Sequence, residues 1–336
     1  MSNTGLPRNF RISVANSQPV PLPTSGSGKG PKNFSVRQNS TIWFDGTYYL
    51  YADVVPWDNP FHPDTYDTSI HLFTSANAEH WEYEGEVIPK GKKGTWTAAG
   101  VATPSACVHG NQVYLSYSVR GHADGSGHRF IGISVAHNPH GPFRELPQLR
   151  LIPDDVDYAQ DRTFLLLDDP QLVSSNASGT GPGDNRLDLY YRRSLNDFTG
   201  RDRGGHAFRL EYDIRARQIV DVVDGIWSDP RIIIPAVAGG IVETADVRWI
   251  GQRLVMIILG YGEGEMAVYL SNDSRTFVPA KPHLLESYLD IFMPAACFRL
   301  PGFIPGPDGV VRHMTTPGDV DDEGHYTQWV FRITCD

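Results

Sequence analysis

The sequence predicts an all-β fold, a single five-bladed β-propeller of residues 34–336 that follows an extended amino-terminal arm of residues 1–33. Short runs of strand-forming residues recur between turn residues, and the order of the strand types repeats five times. No helical period competes with this pattern. A β-sandwich also has many closely spaced strands and is the alternative, but it does not explain the repeated order.

The arm and the repeated units differ in composition. The arm is rich in Pro, Gly and Ser, as in PVPLPTSGSGKGPKN, and has no helical pattern. Each later unit contains a strand, a turn, a second strand and then a third strand that often ends in Ser before an aromatic residue. The five units begin with TIWFDGTYYLYAD, PSACVHGNQVYLSYSV, DDPQLV, ADVRWIGQRLVMIILG and AACFRL. Repeats that cannot bury a face alone must stack, as propeller blades do.

Charge and composition exclude several kinds of partner. The 336 residues carry 29 basic and 39 acidic side chains, a net charge of −10, without a basic cluster, so we expect no nucleic acid partner and a neutral substrate. No run approaches the ~18 apolar residues needed to span a membrane, so we expect no membrane partner. The protein is expected to be cytoplasmic, or secreted with its signal removed. The three cysteines are widely spaced and indicate neither a disulfide framework nor a Cys-x-x-Cys metal site.

The first strand of each propeller blade lines the central channel, so the residues that begin these strands converge at one face. The five leading segments are Arg37 to Ser40, Ala102 to Ser105, Leu167 to Pro170, Val242 to Ala245 and Phe292 to Ala295. Two of them bring carboxylates, Asp169 and Glu243, to the same end of the channel from neighbouring blades. This convergence is the predicted site.

Asp169 and Glu243 are not what folding needs, because an acid that faces a narrow channel is desolvated. Paired carboxylates in a cleft perform glycoside hydrolysis, one as an acid with a raised pKa and the other as base or nucleophile. The alternative for each is a strand-end acid that caps a turn.

From about Ser35 to the carboxyl end the sequence resembles the five-bladed propeller glycoside hydrolases, above all families 43 and 117. The matching pieces are DGTYYLY, HLFTSANAEHWEYEGEVI, TPSACVHGNQVYLSYS, SVAHNPHGPF, DDPQLV and VETADVRWIGQRLVMII. PWD at residues 56–58 and GKKGTW before the second unit are more similar to family 117, which acts on terminal 3,6-anhydro-L-galactose of agar oligosaccharides. The resemblance implies a glycosidase on this fold.

Carried over by position, the resemblance implies that Asp169 orients the general acid and tunes its pKa. Glu243 matches the acid-bearing Glu of family 43, whereas family 117 has a His one residue earlier, where this chain has Val242. The family base is an Asp that begins the first strand of the first blade. It aligns with Arg37 to Asn39, where no carboxylate stands.

Three explanations of the missing base are open. Asn39 could replace a catalytic Asp, the chain could be a carbohydrate-binding protein on a former enzyme scaffold, or the base could come from elsewhere. A two-residue turn at Asp45–Gly46 would pair Phe44 with Thr47 and place Asp53 opposite Gln38, at the same end of the channel. Asp53 is therefore a candidate base, with a solvated strand end as its alternative interpretation.

Register and composition also predict residues that bind substrate at the rim. They are Gln38, Trp57, Trp96, Arg120, His122, Arg192 and Tyr261. Turns at Gly110–Asn111 and Gly251–Gln252 would bring Arg120 to the opening and place Gly260 opposite Glu243. The tryptophans could stack on a sugar ring or simply pack in the core, and an Arg beside carboxylates could hold a substrate oxygen or balance charge.

These observations predict an exo-acting, inverting glycoside hydrolase on an oligosaccharide, such as an arabino-, galacto- or anhydrogalacto-oligosaccharide. The rival is a carbohydrate-binding pseudoenzyme without the base. No cofactor is required; His313 is a candidate ligand of a structural metal ion on the propeller axis, with a satisfied core histidine as the alternative. A homodimer is an open alternative, although the arm lacks the helical pattern of the segment that family 117 proteins swap between partners.

Overall fold

The computed structural model describes residues 12–14, 20–24, 34–56, 68–120, 129–151, 164–174, 185–196, 206–214, 218–224, 242–260, 266–272, 274, 277–280, 301–320 and 326–335. Throughout this described part the structure is β-strand and turn, with one 3₁₀ turn at Pro147–Leu149 and no α-helix. No helix there is long and apolar enough to cross a membrane. The prediction of an all-β fold is confirmed.

The described strands form four sheets. The arm contributes β1 (Ile12–Val14) and β2 (Val20–Pro21). The first sheet contains β3 (Phe34–Phe44), β4 (Thr47–Pro56), β5 (Ser69–Ser75) and β6 (Glu82–Ile88). An eight-stranded sheet contains β7 (Val101–His109), β8 (Gln112–Arg120), β9 (Arg129–Ala136), β10 (Arg144–Glu145), β11 (Phe164–Ser174), β12 (Arg186–Asn196), β13 (His206–Asp213) and β14 (Gln218–Asp224).

The remaining strands complete two further sheets. One contains β15 (Val242–Ile250), β16 (Arg253–Gly260), β17 (Met266–Ser271) and β18 (Val278–Pro279). The other contains β19 (Gly302–Pro305), β20 (Val311–Val320) and β21 (Tyr326–Cys335), and β1 and β2 both pair with β21. Parts of the arm thus belong to the last sheet, and Leu22 is buried in the core.

The count of four sheets differs from the five separate units that the sequence predicts. The difference arises in the eight-stranded sheet, where the antiparallel stack β7–β10 and the antiparallel stack β11–β14 are joined by one parallel pair, Leu166 with Arg129. All other pairings in the four sheets are antiparallel between strands close in the chain or between the arm and β21. The arrangement is propeller-like.

The inner strands contact one another in a closed ring: β3 with β7, β7 with β11, β11 with β15, β15 with β19, and β19 with β3. Side chains rather than strand ladders connect them. Ser40 Oγ accepts the backbone N–H of Ala106 at 3.0 Å, and Ser105 Oγ accepts that of Leu172 at 2.9 Å. These bonds hold neighbouring inner strands at fixed positions around the channel.

Apolar clusters fill the seams between neighbouring sheets. Phe73 of β5 shares a cluster with Val330 of β21, and Leu72 of the same strand shares another with Leu115 of β8. A third cluster joins β16 and β17 to β20 and β21. Successive residues of a strand therefore pack against different neighbours, as the period of two requires. The polar residues of the inner strands are left at the centre.

Candidate active site

Buried polar side chains concentrate on the inner strands. Those with described side chains on β3, β7, β11 and β15 are Ser35, Arg37, Gln38, Asn39, Ser40, Thr41, Thr103, Ser105, Asp168, Asp169, Gln171, Ser174 and Asp246. Burying polar groups is unfavourable unless they are hydrogen-bonded, so this concentration indicates either an internal network or a site.

A β-bulge occurs at the corresponding place in four of the inner strands. In β7 the two residues Thr103 and Pro104 face the single residue Tyr117, and in β11 Asp169 and Pro170 face Tyr191. β3 and β15 carry register shifts at the matching positions. A bulge re-aims side chains at the edge of a sheet and is frequent beside active sites.

The β11 bulge holds Asp169 in a backbone conformation that side chains rarely adopt. Its φ is +51°, and only Thr103, at +49° in the β7 bulge, shares this feature among the described residues of the inner strands. Asp tolerates the left-handed region better than most residues, because its short polar side chain can bond locally. Asp169 is buried, as the sequence predicts for an acid that faces the channel.

Asp168, the residue immediately before this bulge, connects it to strands β8 and β9. Its carboxylate accepts hydrogen bonds from the Ser118 hydroxyl and from the Arg129 guanidinium, and Ser118 also bonds the Thr103 hydroxyl. Asp168 is fully enclosed, so these charge-assisted bonds form in a low-dielectric environment where they are strong. The network connects the bulges of β7 and β11.

The β3 bulge has a different content. Arg37 and Gln38 face Asp53, as the predicted turn register requires, and the Gln38 N–H donates to Asp53 Oδ1 at 2.6 Å. Arg37 lies 3.7 Å from Asp53 Oδ2, and Asp53 is completely buried. Gln38 stands where the other two bulges have Pro, which has no N–H. Asp53 is thus the acceptor that the extra backbone donor needs.

Asn39 lies against the last sheet. Its Oδ1 accepts a hydrogen bond from the Thr315 hydroxyl at 2.9 Å, and the same hydroxyl accepts the N–H of Gly302 at 3.1 Å. A Cβ at Gly302 would stand 3.2 Å from Asn39 Oδ1, so the close approach of these chains suits glycine. Relative to the bulges, Arg37 rather than Asn39 occupies the place that corresponds to Asp169.

Glu243 lies on β15, where the structure describes only its backbone. The two-residue turn at Gly251–Gln252 is confirmed, because Ile250 pairs with Arg253. The prediction that Glu243 faces Gly260 is wrong: Glu243 pairs with Leu259, because a bulge near Ala245 shifts the register by one residue.

An ion pair follows the β15 bulge. Asp246 Oδ2 accepts the N–H of Phe303 at 2.7 Å and lies 3.3 Å from Arg248 Nε. Arg248 donates to the Thr41 carbonyl at 2.7 Å and to Ser40 Oγ at 3.2 Å. Its guanidinium therefore ties β15 to β3.

Several predicted rim residues lie outside what the structure describes. Trp57, His122 and Tyr261 belong to segments outside the described residues. Arg120 and Arg192 are described by backbone alone: Arg120 pairs with Arg129 and Arg192 with Asp168. The backbone of Arg192 is thus next to the bulge that carries Asp169, and its role stays a prediction.

Trp96 lies in the loop before β7, packed on the outer strands of that stack. A Cβ at Gly132 would stand 2.8 Å from its ring, so glycine permits this contact. The Arg150 guanidinium lies 4.5 Å from the ring centroid, and its bonds to Glu145 raise the pKa of Arg150.

His313 lies at the seam between the first and last sheets. Its Nε2 is 3.5 Å from Glu79 Oε1, and Arg332 is 3.3 Å from the same oxygen. Burial lowers the pKa of His313. Among the described residues Glu79 is the carboxylate in contact with His313, and it also faces the Arg332 guanidinium; the metal-ligand role of His313 stays a prediction. No group of three metal-ligating side chains occurs in the described part of the chain.

The sequence analysis missed the residues that support the bulges. Asp168, Ser118 and Arg129 were not singled out, although an Asp before Asp-Pro in an apolar strand is a usable signal. Arg37 and Arg248 were likewise not assigned partners. The partners of Arg248 at Ser40 and Thr41 lie in another sheet, and a single sequence does not reveal such pairs.

The fold has many counterparts among solved structures. A family 117 glycoside hydrolase of the marine bacterium Zobellia galactanivorans aligns with a TM-score of 0.63 at 16% identity, over 97% of this chain and 91% of that one. A thermostable family 43 glycoside hydrolase aligns with a TM-score of 0.61 at 14% identity, over 93% and 96%. The chain shares their fold.

A third structure extends this comparison. An endo-1,4-β-xylanase of Bacteroides thetaiotaomicron aligns with a TM-score of 0.59 at 13% identity, over 90% of this chain and 94% of that one. No family model and no curated protein matches the sequence. The predicted resemblance to propeller hydrolases of families 43 and 117 is therefore confirmed for the fold.

Proposed function

We propose that the protein is a glycoside hydrolase that acts on an oligosaccharide. The observation that carries the proposal is the β11 bulge, which holds the buried Asp169 at φ +51° on a fold shared with such hydrolases. A non-glycine residue in this region costs about 1–3 kcal/mol, and such strain concentrates at active sites. Asp168 and its partners hold the bulge in place.

The proposal includes a five-bladed count. β7–β10 and β11–β14 are then two blades joined at one bridge, and the five inner strands β3, β7, β11, β15 and β19 are one per blade. The closed ring of contacts between these strands supports this count. Asp169 on β11 and Glu243 on β15 then belong to neighbouring blades.

In the proposed reaction Glu243 donates a proton to the glycosidic oxygen as the bond from that oxygen to the anomeric carbon breaks. Asp169 orients Glu243 and favours its protonated form through like charge. A base takes a proton from water while the water oxygen bonds to the anomeric carbon from the opposite face. Inversion follows if acid and base stand about 6.5–9.5 Å apart. The expected cleavage is exo-acting, at a chain end of an arabino-, galacto- or anhydrogalacto-oligosaccharide.

The proposed base is Asp53. One of its oxygens is held by the Gln38 N–H, and Oδ2 accepts no hydrogen bond from the described residues, as a base that must accept a proton requires. Arg37 at 3.7 Å is beyond hydrogen-bond distance from Oδ2. For water to reach this oxygen, the buried Arg37 side chain must move aside when substrate binds.

The closed β3 bulge favours a second candidate, a carbohydrate-binding protein. Arg37 occupies the place that corresponds to Asp169, and the carboxylate opposite it is completely buried. In that case the fold binds the sugar but lacks a base that water can reach.

An oligosaccharide panel separates the two functions. Arabino-, galacto- and anhydrogalacto-oligosaccharides are incubated with the unaltered protein, release of terminal sugar is followed by chromatography, and the anomer first formed is identified by ¹H NMR. Release of monosaccharide with inverted configuration supports the hydrolase. Binding in calorimetry without release from any member of the panel overturns it in favour of the binding protein.

A further inference from the structure

An open cavity of about 440 Å³ lies between the loop of residues 89–100 and the segment that contains β10, the 3₁₀ turn and Arg150. Its lining residues are Gly91, Thr95, Trp96, Thr97, Glu145 and Arg150. The lining combines an aromatic ring, hydroxyls and one ion pair. This composition is typical of a site that binds an amphipathic ligand such as a sugar.

Arg150 is oriented before any ligand arrives. Its Nε and one terminal nitrogen donate to the two oxygens of Glu145 at 2.6 and 2.8 Å, and its guanidinium lies 4.5 Å from the centroid of the Trp96 ring. The second terminal nitrogen makes no hydrogen bond to the described residues. The side chain is 34% exposed, so that nitrogen is available to a ligand anion.

The same loop concentrates positive charge in an acidic protein. Lys90, Lys92 and Lys93 are exposed within four positions, although the net charge of the chain is −10. Neither Lys92 nor Lys93 forms an ion pair with any residue of the described ranges. The loop is internally bonded, since both Oγ1 and N–H of Thr95 donate to the Lys92 carbonyl, at 2.7 and 3.0 Å.

Charge balance within the described residues does not account for Lys92 and Lys93. Three exposed glutamates lie on the neighbouring β6, Glu82, Glu84 and Glu86. Within the described structure none of them pairs with a lysine of the loop, and Glu84 accepts the Thr74 hydroxyl instead. Lys92 and Lys93 therefore remain able to attract an external anion, and the local field favours it over a neutral group.

We propose that this cavity, whose lining contains none of the proposed catalytic residues, binds an acidic unit of the oligosaccharide, a sugar that carries a carboxylate or a sulfate. The inference rests on the proposed function for the nature of the ligand. Trp96 and the guanidinium of Arg150 provide flat surfaces for a pyranose, and Arg150 provides a donor for its anionic group. Lys92 and Lys93 follow the lining residue Gly91 in the chain and add positive charge beside the cavity. The expectation of a neutral substrate, which was drawn from the net charge, would then be wrong for the sugar unit that this cavity binds.

Calorimetry on the unaltered protein tests the inference with three trisaccharides: galacturonate trimer, galactotriose sulfated at position 6, and uncharged galactotriose. Inorganic sulfate serves as the competitor. The combined variant Arg150→Gln, Lys92→Gln, Lys93→Gln should bind the preferred charged trisaccharide about tenfold more weakly, since charge-assisted hydrogen bonds are stronger than neutral ones. Raising the salt concentration should weaken the charged ligands and leave the uncharged one unaffected.

Arg312→Gln is the matched control, because Arg312 also forms a two-bond ion pair, with Asp308, far along the chain. It should leave binding unchanged. Preference for the uronate or for the sulfated trimer identifies the anion. Equal affinity for charged and uncharged trimers, unchanged binding in the combined variant, or competition by inorganic sulfate at the same concentration overturns the inference. Sugar release from the uncharged panel is measured separately on the unaltered protein, so the hydrolase proposal can fail alone.

Discussion

Two residues face one in both the β3 bulge and the β11 bulge, but the residues opposite and within them differ. In β11 the second bulge residue is Pro170, which has no N–H, and Asp169 takes a φ of +51°. In β3 the second residue is Gln38, whose N–H is bonded by Asp53, and neither bulge residue has a positive φ. The β3 bulge begins with Arg37, which faces Asp53, whereas the β11 bulge itself begins with an acid, the buried Asp169.

This difference shows that a carboxylate near the channel can be present for either of two reasons: its own bulge needs it, or it takes part in a reaction. Asp53 is required by the backbone of its own bulge and by the charge of Arg37, whether or not it takes part in a reaction. Pro170 has no N–H, so Tyr191, the residue that faces the β11 bulge, does not have to supply a hydrogen-bond acceptor. The position of Asp169 is thus the better indication of chemistry.

The largest expected effect is on Asp169. Asp169→Asn should lower kcat by about 10²–10⁴-fold, the usual contribution of acid–base machinery, because the neutral amide no longer tunes Glu243. The rate of sugar release on the substrate found in the panel measures it. Asp308→Asn, at an exposed carboxylate, is the control, and equal rates for the two variants would contradict the role of Asp169.

Asp53→Asn separates the contribution of Asp53 to stability from its contribution to catalysis. The amide oxygen can still accept the Gln38 N–H, but the charge opposite the buried Arg37 is lost, which should destabilise the fold by about 3–5 kcal/mol in urea unfolding. Replacing both residues, as Arg37→Met with Asp53→Asn, removes both charges and keeps an acceptor for the Gln38 N–H, so it should recover most of this. An unchanged stability with a 100-fold lower kcat would instead make Asp53 purely a base.

The sheet with the β3 bulge should also be sensitive to acid. His71 of β5 is buried between Ser69 and Tyr83, and burial lowers its pKa from 6.5 to about 4. The unfolded chain therefore binds a proton that the folded chain does not between these values, so stability falls as pH drops from 6.5 towards 4, by roughly 3 kcal/mol at most. Urea unfolding at pH 7 and pH 4.5 measures this fall.

His71→Asn should reduce that fall, because the titrating group is gone. A His71→Asn chain that loses as much stability on acidification as the unaltered protein would show that other groups cause the acid sensitivity.

The smallest expected effect lies behind the β11 bulge. Asp168→Asn keeps the shape of the side chain but removes the charge that Arg129 and Ser118 bond, which should destabilise the fold by about 1.5–3 kcal/mol. If Asp168 positions Asp169, the Asp168→Asn change should lower kcat and change KM little. Asp168→Glu should restore neither the stability nor kcat. A loss of stability with an unchanged kcat would make Asp168 structural only.

The sequence allowed accurate prediction of the turns and of the strands around them. Asp45–Gly46 adopts the positive φ values that a two-residue hairpin turn needs, and Phe44 pairs with Thr47. The strand pairing that these turns predict is correct from the turn as far as the bulge. Beyond them it failed at Glu243, because one extra residue at Ala245 leaves no mark in a strand of ordinary residues.

The site was predictable only in part for a related reason. Asp169 was singled out because an acid that begins an inner strand and faces a channel is desolvated, and it is buried in the structure; its role stays a prediction. The partners of Arg248, at Ser40 and Thr41, are about 200 residues away in the chain and depend on the closed ring. Long-range pairs of this kind arise from topology, which hydrophobic periodicity does not encode.

The central claim is that Asp169 and Glu243 form the acid side of a glycosidase site. The most direct test compares the unaltered protein with Glu243→Gln in the rate of terminal sugar release from the oligosaccharide that the panel identifies. The account predicts a fall of at least about 10²-fold, with sugar binding retained in calorimetry. Equal rates of release from both proteins would contradict it.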